Sequence, residues 1–113
     1  MSDAPRRGFL YYARLDKRRP VLVISPNVRN HGASDVLIVP CSTVLSEAPT
    51  HVRLRKGEGG IGTTSVLKCE QLGAVRKEHL DPAALGGALA EARLRDVERA
   101  ILRAIGVPVP LDN

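Results

Sequence analysis

Arg19 is the first residue whose setting invites chemistry. It stands directly before Pro20 at the head of Val21-Leu22-Val23-Ile24, an aliphatic, β-branched run closed by Ser25-Pro26. Such a run reads as a buried strand of about five residues. Proline lacks an amide hydrogen and belongs at the first rung or the edge of a sheet, so Arg19 falls where the chain leaves a loop and enters the core. An arginine held there is aimed: its planar fork of donors suits phosphate oxygens. Two further groups carry usable side chains. Ser42 and Thr43 follow Val39-Pro40-Cys41 at the exit of a second aliphatic run, where hydroxyls either face a site or cap a turn. Lys68 and Glu70 lie two apart in Ser65-Val66-Leu67-Lys68-Cys69-Glu70-Gln71-Leu72, which puts them on one face of a strand, as a solvated ion pair or as part of a site.

Other chemistries fare worse. Gly57-Glu58-Gly59-Gly60-Ile61-Gly62-Thr63-Thr64 brushes against the phosphate-loop pattern, but Thr63 stands where that loop needs lysine, and the segment reads as a flexible turn. Cys41 and Cys69 lie inside apolar runs without the paired spacing of a zinc site or a disulfide framework, so they read as free core thiols in a reducing compartment. None of the three histidines sits in a motif that demands a nuclease pair, and His31 and His79 read as surface-loop residues.

The elements that must position these groups follow from pattern. Phe9 to Leu15 has strand content after the Gly8 break, and the short Asp16-Lys17-Arg18 connection makes it a hairpin partner of the Arg19 strand. Asn27 to Ser34 reads as a loop, and Val36 to Val39 as a third strand ended by Pro40. His51 to Arg55 alternates as a half-exposed fourth strand, and Ser65 to Leu72 is the fifth. From Ala90 to Ile105 the period becomes helical, with Leu94, Val97, Ile101, Ala104 and Ile105 on one stripe and Gly106 and Pro108 as stops. Between them, Asp81-Pro82 resembles a helix start, but Gly86 and Gly87 each cost roughly 1 kcal/mol inside a helix. The count is five strands, one ambiguous piece and one helix.

At 113 residues this is a single domain over 1–113. The polar, basic stretch Met1 to Arg7 has no signal-peptide core, and no apolar run approaches the ~20 residues of a membrane span. The reading is a cytoplasmic protein without membrane contact. Lys and Arg number 17 against 12 Asp and Glu, a net charge of +5 that favours a polyanion or an acidic protein as partner. With only Phe9, Tyr11 and Tyr12 as aromatics, passive nucleic-acid binding by stacking alone loses ground.

In their order and spacing, Arg19-Pro20-Val21-Leu22-Val23-Ile24-Ser25-Pro26, Val39-Pro40-Cys41-Ser42-Thr43 and Ser65-Val66-Leu67-Lys68-Cys69-Glu70-Gln71 resemble the MazF/PemK (Kid) toxins of bacterial toxin–antitoxin systems. Arg7-Gly8, Pro49-Thr50-His51-Val52 and the helix Val97 to Ile105 support the likeness, which covers about residues 6–106. It implies a mainly β fold with a C-terminal α-helix, a small antiparallel Src-homology-3-like barrel of the MazF/CcdB type, with a strand near Leu85 to Leu89. It also implies a homodimer that cleaves single-stranded RNA selectively without metal or other cofactor. An acidic antitoxin would silence it, and DNA would be bound by the toxin–antitoxin complex.

Residue by residue, the family's catalytic arginine before the proline is matched by Arg19, and its catalytic threonine by Ser42. Lys68 and Glu70 stand, with changed types, where the PemK branch carries an arginine and an aspartate. The Asp16–Arg18 loop is shorter than the family's RNA-covering loop. Cleavage needs the 2′-hydroxyl to lose a proton, the phosphoryl oxygens to be stabilised and the leaving 5′ oxygen to be protonated. Arg19 suits the second task, Ser42 positions a phosphate oxygen, and Glu70, the only carboxylate in the motifs, is the candidate base. Lys17, Arg18, Thr43, His51, Lys68 and Gln71 are the candidate substrate-binding residues. The alternative is a CcdB-like toxin that binds a protein such as gyrase and cuts nothing.

Overall fold

The computed structural model describes residues 4–110, so the expected 1–113 domain extends three residues beyond the described span at each end. The Arg19 run forms β2, Arg18–Val23, which pairs antiparallel with β1, Leu10–Arg14, through a hairpin closed opposite Arg14 and Arg18. Pro20 is tolerated inside β2 because the ladder to the next strand, β3 at Asp35–Ser42, begins only at Val21 opposite Pro40. Between them, Asn27–Gly32 is a short helix, α1, where a loop was expected. Its Asn30 is fully buried and holds the Ser25 carbonyl at 2.9 Å, while the Ser25 hydroxyl bonds the Asn30 side chain, so a polar segment is satisfied inside the protein.

β3 does not stop at Pro40, as expected, but runs through it. One edge of β3 pairs with β6, Gly73–Arg76, up to Ile38, and with β5, Ser65–Lys68, from Cys41 onward. Pro40 falls in the interval between these partners, where a missing N–H costs no ladder bond. The expected fifth strand is shorter than its pattern. After Lys68 the chain enters a 3₁₀ turn at Cys69–Gln71 and re-emerges as β6, a strand the sequence reading missed. The strict alternation expected for Lys68 and Glu70 therefore breaks between them. The turn re-aims the chain from β4, His51–Leu54, back to β3.

The sheet is antiparallel, in the order β1-β2-β3-β5-β4 with β6 also on β3. An isolated bridge from Leu80 to Ala13 brings the chain after β6 back to β1. No strand forms at Leu85 to Leu89. The segment gives one bond to β1, from Leu85 N to Leu10 O at 2.8 Å, and one to the turn before it, from Leu89 N to Gly8 O at 2.9 Å. Gly86 packs so closely on Gly60 that a continuous pleat with side chains has no room. The expected helix is α2, Glu91–Ala104. Val97 and Ala100 enter the core with Leu10, Leu22, Leu54 and Leu67, and Leu94 and Ile101 pack against it, whereas Ile105 lies beyond the sheet and is exposed. A second cluster, including Tyr11, Val21, Val36 and Ile38, fills the other face. The mainly β fold with a C-terminal helix stands as expected.

Candidate functional site

Registers decide which predicted residues meet. Val21 faces Pro40, so two residues further along Arg19 stands level with Ser42, just past the end of the β2–β3 ladder. Ser42 faces Val66, and Val66 faces Arg53, giving one row across β2, β3, β5 and β4. The Arg19 side chain is one-quarter exposed; its Nη2 is a long 3.4 Å from Asp16 Oδ1. Its Nε is buried with no hydrogen-bond partner among the described residues. The guanidinium is thus anchored at the strand mouth with donor capacity unspent. Ser42 Oγ accepts the Val44 N–H at 3.1 Å, which leaves its own proton to donate.

Glu70 belongs to a second cluster. His51 Nε2 is 3.0 Å from Glu70 Oε2, Thr50 Oγ1 donates to Glu70 Oε1 at 2.9 Å, and His51 Nδ1 is 3.1 Å from Ser46 Oγ. Partial burial pushes the Glu70 carboxyl up, but the hydrogen bonds from His51 and Thr50 outweigh it and hold the group below its ordinary range. β4 lies three strand spacings from β2, roughly 14 Å along the sheet, so this cluster and Arg19 address different parts of a bound chain. Ser46 and Thr50 escaped the sequence reading; Thr50 sits beside His51 in a quoted motif, but only the fold shows that the 3₁₀ turn brings Glu70 to both.

The other predicted residues scatter around these groups. Lys68 is directly opposite His51 on β5, and Gln71 is exposed in the 3₁₀ turn. Lys17 is exposed at the hairpin tip. Arg18 is already engaged: its guanidinium lies 4.0 Å from the Tyr12 ring centroid and its Nη2 is 2.8 Å from Asp81 Oδ2. Thr43 borders a pocket of about 190 Å³ with Tyr12, Pro20, Ser42 and Thr63. Cys41 also borders it, but burial first, and the neighbouring Cys69 second, push its thiol up to about 12, so it is no nucleophile. Among the described residues no three His, Cys, Asp or Glu side chains gather as a metal set, and no helix is long and apolar enough to cross a membrane.

A family model described as PemK-like, MazF-like toxin of type II toxin–antitoxin system matches residues 6–105. Endoribonuclease MazF4 of Mycobacterium tuberculosis (strain ATCC 25618 / H37Rv) is 29% identical over 109 residues, covering 96% of this chain and 99% of its own. Among solved structures, an endoribonuclease from Mycobacterial species superposes with a TM-score of 0.82 at 27% identity, covering 97% of this chain and 99% of its own. An endoribonuclease in complex with its cognate antitoxin from Mycobacterial species gives 0.83 at 28%, covering 95% and 100%.

Proposed function

The chain belongs to the PemK-like, MazF-like toxin family of type II toxin–antitoxin systems, and from that premise we propose that it is an endoribonuclease cutting single-stranded RNA to 2′,3′-cyclic phosphate and 5′-hydroxyl ends without a metal ion. The observation that carries the reading is the Arg19 guanidinium, at the strand mouth level with Ser42 and with its buried Nε unpartnered among the described residues. As the 2′ oxygen attacks phosphorus and the P–O5′ bond breaks, negative charge builds on the phosphoryl oxygens. A fixed, permanently charged fork stabilises that charge more than the ground state, which is what accelerates the step. Ser42 donates to a phosphate oxygen. Glu70 and His51, three strand spacings from β2, hold a neighbouring part of the chain and do not reach this phosphate, so the 2′ proton leaves to water and the departing 5′ oxygen takes one from water. The relatives named as endoribonucleases favour cleavage over a non-enzymatic, CcdB-like binder.

The same reading makes the chain one cytoplasmic domain acting as a homodimer, silenced by an acidic antitoxin whose tail covers the Arg19 groove; DNA is a partner of that complex only. Such a tail gives up ordering entropy on binding and must bury apolar anchors besides pairing charges. Incubating the purified protein with mixed-sequence RNA in EDTA tests the activity. Discrete cuts with 5′-hydroxyl ends are expected, and intact RNA after long incubation overturns the reading.

A further inference from the structure

The pocket bordered by Tyr12, Pro20, Ile61, Ser42, Thr43 and Thr63 has no charged residue in its lining, although Arg18 lies against Tyr12 and Arg19 precedes Pro20. Its occupant is therefore neutral. At about 190 Å³ it exceeds the roughly 150 Å³ cavity that accommodates a benzene ring, which leaves room for one heteroaromatic base but not two. Its apolar side is built from Pro20, Ile61 and the Tyr12 ring. That ring is held from outside by Arg18, which is itself tied to Asp81, so the wall is fixed before anything binds.

The polar rim is the informative part. Ser65 Oγ is spent on the Thr63 carbonyl and Ser42 Oγ accepts the Val44 N–H. The hydroxyls of Thr43 and Thr63 have no side-chain hydrogen bond among the described residues, and each both donates and accepts. Two uncommitted hydroxyls beside an aromatic wall match the needs of a base taken out of its stack and read along its edge. The pocket shares Ser42 with the row that ends at Arg19, and Pro20 is the residue after Arg19. A base seated here leaves its phosphate at the mouth, beside the guanidinium.

We propose that this pocket binds one unstacked nucleobase adjacent to the phosphate held by Arg19, with Tyr12 as its stacking wall and Thr43 and Thr63 as the residues that set base identity. The proposal deepens, and rests on, the single-stranded RNA reading above. It makes the loop Ile61 to Thr63, outside every motif that pointed to chemistry, the determinant of one position of the recognised sequence.

The test is a binding selection, which does not require cutting. A random RNA pool carrying 2′-deoxyribose at one fixed position, where cleavage is blocked, is partitioned on the protein and the bound fraction sequenced. Wild type is expected to enrich one base at one position next to the blocked phosphate. Thr63→Val and Thr43→Val, which keep side-chain volume and remove one hydroxyl, are each expected to reduce that preference about five- to ten-fold, the size of one lost neutral hydrogen bond. Tyr12→Leu is expected to weaken binding of all four bases at that position. Circular dichroism confirms folding of each variant. Unaltered base preference in both folded threonine variants overturns the proposal. If wild type selects a base here but leaves unblocked RNA intact, the cleavage reading fails and the pocket assignment survives.

Discussion

His51 Nε2 and Glu70 Oε2 are 3.0 Å apart across the gap between β4 and the 3₁₀ turn that ends β5. The contact exists because Lys68, not Glu70, is the last residue paired with β4, and the turn after it swings Glu70 over the imidazole. Glu70 is thereby an anchored carboxylate with two donors on it.

The first prediction follows from that anchoring. The folded-state pKa of Glu70 is depressed, so its stabilisation is present above the ordinary value of 4.5 and is lost as pH falls through the lower folded value. With the side chain 40% exposed, the contribution is about 0.5 kcal/mol. Glu70→Gln is expected to be less stable than wild type by that amount at pH 7, with the difference vanishing in acid. Urea unfolding at a series of pH values measures it; a difference that persists at the acid end contradicts the linkage.

Arg19→Lys keeps the charge and loses the fork. If the guanidinium, whose Nε has no partner among the described residues, grips the scissile phosphate, kcat/KM on RNA falls by about 10²–10³-fold while the unfolding midpoint stays close to wild type. A folded lysine variant with near-normal cleavage would reduce Arg19 to one more solvated cation.

Gly60 has φ +87°, and a Cβ there would lie 2.4 Å from the Leu85 carbonyl oxygen. Both the left-handed backbone and the clash oppose any side chain, so Gly60→Ala is expected to cost more than about 2 kcal/mol. Gly32, at the end of α1, meets nothing within 4 Å, and Gly32→Ala is expected to stay within about 0.5 kcal/mol of wild type. Thermal denaturation of the two variants side by side checks the contrast; equal midpoints would mean that the Gly60–Leu85 approach does not hold this loop.

How far the sequence reached depended on whether a position is governed by its neighbours or by distant chain. The hairpin around Asp16, the strand behind Arg19 and helix α2 were legible because aliphatic runs, a short connection and a 3.6-residue stripe are local signals. Pro40 misled because its missing donor ends a strand only where a partner needs that donor, and the switch between β6 and β5 along β3 is a tertiary fact. Period two suggested one straight strand from Ser65 to Leu72; the chain instead turns at Cys69 to reach β3. The candidate site divided in the same way. Arg19 announced itself beside a proline and Ser42 two residues after one, whereas Thr63 joins Tyr12 and Ser42 only through folding.

The last prediction concerns the path of the RNA. The row Arg19, Ser42, Val66, Arg53 crosses four strands and carries a cation at each end. Arg53 is exposed and borders a concavity of about 360 Å³ shared with Arg93, Arg99 and Arg103 of α2. Asp96 pairs with Arg93 and Arg99, so the net charge there remains positive. A single strand laid along the row puts one phosphate on Arg19 and a later one on Arg53. Neutralising a phosphate releases counterions, and for single strands each such contact contributes about −0.7 to the slope of log K against log salt. Arg53→Ala is therefore expected to make the slope for a blocked RNA shallower by about 0.7, weakening all sequences alike. Thr63→Val, which touches no phosphate, is expected to keep the wild-type slope while altering base preference. Fluorescence anisotropy across a salt series measures both, and an unchanged slope in Arg53→Ala would send the RNA along another path from Arg19.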